Sequence, residues 1–172
     1  MDGRDSSQDS SAREKVIEYL FTGELLRCLW KEGVRDMEVL RAEVDMAGYD
    51  LVVEAKGLMR HIQLKSSYRG AKTAKVDVHT RLATKPSGCV VWVLFDPVSM
   101  DLGPFLWFGE SPGLPLPPLG ERLGKHSKGD RTGRKADRPN MRVVTRGRFH
   151  QVPDIKTLAR KLFHSCVRRP EL

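Results

Sequence analysis

The amino-acid sequence predicts a single α/β (α+β) domain in which helices flank a mixed central β-sheet. Three observations support this fold class. An amphipathic helical pattern starts at about Arg13, a nearly continuous apolar run spans residues 89–95, and a second helical pattern follows Pro153. An apolar run of this kind is typical of a central strand that is buried on both faces. The order of helix, several strands and helix argues against a repeat protein.

The elements follow from periodicity and turn residues. Residues 1–12 are polar and lack apolar periodicity, so they are predicted to be a disordered lead-in to one domain over residues 13–172. Gly33 ends the first predicted helix. The later expectations are a strand at 37–44, hairpin strands at 49–53 and 58–64, a helix of modest propensity at 72–83, strands at 89–95, 104–108 and 140–145, a Pro/Gly-rich linker and basic loop at about 109–148, and a final helix capped by Asp154.

The predicted hairpin at residues 48–67 is the part of the sequence that best indicates a functional site. If Lys56 and Gly57 are its two central turn residues, opposing residues have numbers that sum to 113, so that Asp50 faces Gln63. Lys65 shares that face because strand side chains alternate with a period of two. A register slipped by one residue would bury this lysine and expose the apolar face. The apolar face consists of Leu51, Val53, Leu58, Ile62 and Leu64, with Tyr49 and Arg60.

The positive charge is concentrated near the end of the chain. Residues 121–148 contain ten basic and three acidic residues, and they therefore hold +7 of the total net charge of +8. A concentrated basic segment predicts a polyanionic partner, nucleic acid first. A solvated basic loop, or a site that recruits an acidic protein, would explain the same charge. The expected phosphate contacts are Arg122, Lys125, Lys128, Arg131, Arg134, Lys135, Arg138 and Arg142.

The cysteines and the first residues of the sequence indicate the cellular compartment of the protein. Cys28, Cys89 and Cys166 are odd in number and far apart, and none forms a Cys-x-x-Cys pair. The first residues form no apolar secretory segment, and no run approaches the roughly 18 apolar residues that a membrane helix needs. These features predict a soluble cytoplasmic protein.

Four residues are candidates for chemistry. Glu24 lies inside the apolar stripe of the first helix, where a carboxylate is costly unless it meets a cation, a metal or hydrogen-bond donors. A glutamate at the edge of the stripe, paired with solvent or a neighbouring cation, is the structural alternative. Glu24, Asp50 and Gln63 together offer hard oxygen ligands, and Lys65 adds an ammonium group. This combination suits Mg²⁺ binding and phosphate-ester hydrolysis.

These residues resemble a known family. The helical segment at residues 24–33, Gly48-Tyr-Asp50 and Gln63-Leu-Lys65 are similar to the core motifs of the PD-(D/E)XK nuclease superfamily. The helical pattern resembles archaeal Holliday-junction resolvases, whereas the Gln-x-Lys ending resembles Mrr-type restriction endonucleases. The resemblance covers about residues 13–108. The resemblance implies a restriction-endonuclease-like core. It also implies a metal-dependent endonuclease that uses Mg²⁺ or Mn²⁺ to hydrolyse phosphodiester bonds in DNA, and it favours a homodimer.

The resemblance also implies roles for the four residues. Asp50 would be the principal metal ligand, Glu24 would support the metal, and Lys65 would position or activate the attacking water. Gln63 stands where the family more often has Glu or Asp, so the site loses one negative charge. Carboxylates that could compensate are Glu43, Asp45 and Glu54. The alternative is a nuclease-fold module that binds nucleic acid and has lost catalysis.

Overall fold

The fold is described from a computed structural model covering residues 6–42, 47–126, 129 and 131–164. Two helices and nine strands make up these ranges, together with short 3₁₀ turns at Thr80–Thr84 and Arg146–Arg148. In chain order the elements are α1 (Ser6–Lys31), β1 (Glu38–Arg41), β2 (Leu51–Ala55), β3 (Leu58–Tyr68), β4 (Lys75–His79), β5 (Gly88–Phe95), β6 (Leu102–Gly109), β7 (Leu123–Lys125), β8 (Asp137–Thr145), β9 (His150–Val152) and α2 (Ile155–Phe163).

The strands form two sheets. The central sheet has six strands in the order β1-β2-β3-β5-β6-β9, and the second sheet has three in the order β4-β8-β7. Strand β3 runs parallel to β5, whereas the other pairs in the central sheet are antiparallel. The predicted class, a mixed central sheet with helices packed on it, is therefore confirmed.

A hydrophobic core lies on each face of the central sheet. Helices α1 and α2 both pack on one face, where Phe21 and Leu158 meet strand residues such as Val91. The second sheet and the 3₁₀ turn at Thr80–Thr84 cover the other face, where Val144 and Leu82 pack near Trp92. All eight residues of β5 are buried, as expected for a strand covered on both sides.

The β2–β3 hairpin has the predicted register. Leu51 pairs with Ile62 and Glu54 with Met59, so the paired numbers sum to 113. Lys56 and Gly57 have φ values of 55° and 69°, the left-handed pair that a two-residue turn of type I′ requires. The ring of Tyr49 is the exception to the predicted faces, because it packs against His61 at the edge of the second core.

Three sequence expectations are corrected. Helix α1 begins at Ser6, so residues 6–12 belong to the helix and not to a disordered lead-in. The helix expected at 72–83 is wrong, because that segment forms β4 and the 3₁₀ turn at Thr80–Thr84. Strand β8 begins three residues before the strand expected at 140–145, and β7 lies inside the segment expected to be linker and loop. Neither α1 nor α2 is long and apolar enough to cross a membrane.

Candidate active site

The candidate site forms where β2 stops and β3 continues. Strand β3 runs on to Tyr68 beside β5, but its pairing with β2 ends at Ile62. Asp50 lies one residue before β2, and its N–H donates to the Ile62 carbonyl at 2.9 Å. Its Oδ2 accepts the Leu64 N–H at 2.6 Å, which satisfies a strand amide that β2 no longer pairs. The Asp50 carboxylate is thus fixed at the open edge of β3.

Glycine at position 48 lets the chain reach this geometry. Gly48 has a φ of +77°, which glycine adopts at no steric cost. A Cβ at this position would lie 2.8 Å from the Cβ of His79, a contact that side chains essentially never make. The close approach brings the segment before Asp50 against the end of β4.

The open edge of β3 is the floor of a cleft of about 560 Å³. Asp50, Gln63 and Lys65 all line this cleft, so the structure brings these three predicted residues together. The start of α1 forms one wall, and the second sheet with the segment before β4 forms the other. The wall residues include Ser11, Glu14, Lys15 and Glu18 from α1, and Thr73, Val76, Arg138 and Met141 opposite.

The two predicted site residues on β3, Gln63 and Lys65, have different surroundings. Gln63 is 5% exposed, and its Oε1 accepts the His79 N–H in a long hydrogen bond of 3.4 Å. Lys65 is half-buried on the same strand and lies beside Trp92 of β5. Further along, Ser67 Oγ accepts the Trp92 Nε1–H at 3.0 Å. The amide is therefore ordered by the second sheet, while the ammonium group borders the open cleft.

Glu24 does not join the other predicted site residues. It lines a separate groove between α1 and α2, together with Arg27, Cys28 and Lys156. Burial in that groove raises the pKa of the Glu24 carboxyl. Glu24 lies six positions after Glu18 on α1, which corresponds to about 9 Å along the helix axis and about 120° of rotation around it. The two glutamates therefore face different parts of the protein.

The helical carboxylates of the cleft are Glu14 and Glu18. They are spaced i, i+4 and so lie on one side of α1. Glu18 is 8% exposed and accepts a hydrogen bond from Lys15 Nζ at 2.9 Å, which raises the pKa of Lys15. Arg41 Nε lies 3.1 Å from the other Glu18 oxygen. In the sequence these glutamates have more polar neighbours than Glu24 and are poorer candidates, and only their i, i+4 spacing could have pointed to the pair.

The donor set meets the minimum for a magnesium ion. Among the described residues no group of three or more His, Cys, Asp and Glu side chains is placed to hold a metal. Mg²⁺, however, is commonly bound through one or two carboxylates and keeps several waters. Asp50 lines the cleft beside Gln63 on the paired strand, so one carboxylate and an amide oxygen fit that requirement, and Glu14 and Glu18 border the same cleft. Glu54 does not line the cleft, and Glu43 and Asp45 lie outside the described residues.

The predicted basic segment is divided between several environments. Arg138 lines the cleft, and its guanidinium lies 3.9 Å from Asp77 of β4. Arg142 is half-buried and donates to the Pro139 carbonyl at 2.6 Å. Lys128 lies outside the described residues. The exposed members are Arg122, Lys125, Arg131, Arg134 and Lys135.

Comparisons with known proteins add little to this geometry. No protein-family model and no curated protein matches the chain. Among solved structures, it is similar to a bacterial homing endonuclease, with 21% sequence identity over 66% of this chain and 81% of the other. The TM-score of 0.31 is too low for that likeness to carry a functional argument. The functional assignment therefore rests on the cleft.

Proposed function

We propose that this protein is a metal-dependent nuclease that hydrolyses phosphodiester bonds in DNA. The observation that carries the proposal is the single cleft shared by Asp50, Gln63 and Lys65, three positions that are chosen by the sequence motif and lie on two different chain segments. Two helical carboxylates and Arg138 border the same space. Carboxylates for a cation, an ammonium group and a guanidinium for phosphate are the groups that such a hydrolysis needs.

Each residue of the cleft has a defined task in this proposal. Asp50, held by the Leu64 N–H, would be the direct ligand of Mg²⁺ or Mn²⁺, with the Gln63 amide oxygen beside it and Glu14 and Glu18 in support. The bound cation would neutralise charge on the phosphate and lower the pKa of a water. Lys65 orients the attacking water by hydrogen bonding. Arg138, on the opposite wall, binds a non-bridging phosphate oxygen.

A second candidate is a nucleic-acid-binding module without catalysis. The neutral amide of Gln63 favours it, since an acidic residue there would bind a divalent cation more strongly. The scarcity of carboxylates also favours it, because the described residues contain no three-residue metal cluster. This module would bind DNA in a salt-sensitive way and leave the strands intact.

Cleavage of labelled linear, supercoiled and branched DNA in Mg²⁺ or Mn²⁺ tests the proposal. Asp50→Asn keeps an acceptor for the Leu64 N–H but removes the charge, so we expect a folded protein without metal-dependent cleavage. Lys65→Met should lower the cleavage rate by about 100-fold or more, the usual contribution of a group that handles the proton of the nucleophile. Glu24→Gln is the matched control, since Glu24 lies in another groove.

The outcomes separate the two candidates. Cutting by wild type and by Glu24→Gln, but not by Asp50→Asn, supports the nuclease. Binding without cutting in every metal would move the assignment to the binding module, and Gln63→Glu then tests whether one restored charge is sufficient for activity. Equal cutting by wild type and Asp50→Asn would contradict the site.

A further inference from the structure

One β-hairpin carries a concentration of exposed positive charge. We call the described residues 122–126 and 131–138 the basic hairpin, which comprises β7, the start of β8 and the residues next to them. Lys125 pairs with Asp137, and Gly124 pairs with Arg138. Strand β7 is an edge strand of the second sheet, so the hairpin lies at an edge of that sheet. Its exposed basic residues are Arg122, Lys125, Arg131, Arg134 and Lys135.

The basic hairpin joins the cleft to the outer surface. Asp137 and Arg138 are neighbours on β8, and their side chains point to opposite sides of the strand. Arg138 borders the cleft, whereas Asp137 borders a shallow concavity of about 420 Å³ that is also lined by Lys125, Arg134 and Lys135. A polyanion that occupies the cleft would therefore meet the hairpin next.

The remaining arginines of the basic segment serve the fold. Arg148 donates from Nη1 to the Leu119 carbonyl at 2.9 Å and lies over the Phe108 ring. Arg146 lies over the Trp92 ring, with its guanidinium carbon 5.6 Å from the ring centroid. Arg142 and Arg146 are half-buried, and Arg148, although exposed, is tied to the protein by its hydrogen bond to the Leu119 carbonyl. The exposed charge of the described segment therefore lies mainly in the basic hairpin.

The composition of the hairpin favours a duplex over a single strand. Residues 121–148 contain no Phe, Trp or Tyr, whereas proteins that bind single strands stack the bases on aromatic side chains. The major groove of B-form DNA, about 12 Å wide, admits a two-stranded β-ribbon. The major groove of an A-form RNA duplex is too narrow for side chains to read.

We propose that the basic hairpin enters the major groove of duplex DNA, while Arg138 holds the phosphate backbone at the mouth of the cleft. The inference rests on the proposed nucleic-acid substrate and specifies it as double-stranded DNA. Lys125, Arg134 and Lys135 supply the contacts in and beside the groove.

Binding, measured without cleavage, tests this inference. The protein carries Asp50→Asn, and EDTA removes divalent cations, so the result does not depend on catalysis. Fluorescence anisotropy compares one labelled sequence as duplex DNA, single-stranded DNA and duplex RNA over a range of salt concentrations. The test variant is Arg134→Gln with Lys135→Gln. Its matched control is Arg27→Gln with Lys31→Gln, which removes the same charge from the α1 groove.

We expect duplex DNA to bind more tightly than the other two ligands. Removal of two phosphate contacts should weaken duplex binding by about tenfold and lower the slope of log K against log salt by about 2. The control should stay near wild type, and thermal unfolding should show that both variants fold. Equal losses in variant and control, or tighter binding of the single strand, would overturn the inference while the proposed nuclease stands. No binding of any nucleic acid would overturn both.

Discussion

Position along α1 decides which carboxylate can serve the cleft. Glu18 is buried at the cleft wall between Lys15 and Arg41, and Glu14 lies one turn before it. Glu24, the residue that the family pattern favours, faces α2 instead. The two glutamates therefore border the same cleft as Asp50, whereas Glu24 lies in another groove.

Substitution of these glutamates distinguishes their roles. Glu18→Gln keeps the shape of the side chain and removes its charge, so we expect the metal concentration for half-maximal cleavage to rise by about 10-fold or more, the range seen for groups that support metal ligands. Glu24→Gln should leave that concentration unchanged. The measurement is a Mg²⁺ titration of cleavage with each purified variant. A metal requirement that changes only in Glu24→Gln would return the supporting role to Glu24.

The strand-borne site residues were predictable and the helix-borne ones were not. The register of the β2–β3 hairpin follows from its turn and its apolar face, and these local features place Gln63 and Lys65 on one side of β3. Glu14 and Glu18 lie within the helix predicted from about Arg13, but periodicity does not show which turns of that helix border the cleft. Tertiary packing decides that placement.

Among the secondary-structure elements, β4 shows where local pattern fails. Val76 and Val78 pair with Val144 and Arg142 of β8, more than 60 residues further along the chain. The segment around them has ordinary helix formers, and the stability of a strand there depends on a partner that the local sequence does not contain. Helix α2 was easier to predict, because its apolar stripe and its capping residue Asp154 are contiguous in sequence.

The cap of α2 gives a pH-dependent prediction. Asp154 Oδ1 accepts the Thr157 N–H at 2.7 Å, and this backbone hydrogen bond lowers the pKa of the carboxyl. A carboxyl with a lowered folded-state pKa adds stability that is fully present above its ordinary value of about 3.9 and is lost as pH falls through the folded value. Asp154→Ala should therefore cost about 1 kcal/mol of unfolding free energy at pH 7, and progressively less at acid pH.

Urea unfolding of wild type and Asp154→Ala at a series of pH values measures this difference. Asp154→Asn, which retains an acceptor for the Thr157 N–H, should lose only a small part of the stability at pH 7. A difference between wild type and Asp154→Ala that stays constant from pH 7 to well below the folded pKa would contradict the contribution of the charged cap.

In the whole molecule, the cleft lies between the central sheet with its helices and the second sheet. The first of these layers was easier to predict from the sequence than the second. The core beneath α1 and α2 comes from strong apolar stripes and was predictable in outline. The second sheet assembles β4, β7 and β8 from segments that the sequence predicts as a helix, a loop and a shorter strand, and it supplies the wall that carries Arg138. The sequence could therefore place the catalytic candidates on a strand but could not show what closes the cleft over them.

Arg60 joins distant parts of the molecule behind the site. This β3 residue is fully buried, and its guanidinium donates to the carbonyls of Leu162 at 2.7 Å, Lys161 at 3.0 Å and Glu110 at 2.9 Å. The first two carbonyls lie in the last turn of α2, where a cation also complements the helix dipole. Burial lowers the pKa of Arg60, and the guanidinium remains a cation that these carbonyls solvate in place of water.

Replacement of Arg60 should test how strongly this buried group ties α2 to the central sheet. Arg60→Met leaves the three carbonyls without their donor, and we expect a loss of about 3–5 kcal/mol in unfolding free energy, since each buried acceptor left unpaired costs roughly 1–3 kcal/mol. Arg27→Met, an exposed arginine on α1, should change stability by no more than about 0.5 kcal/mol. Urea unfolding measures both. A cost at Arg60 as small as that at Arg27 would mean that the carbonyls find water or that α2 is held by its apolar face alone.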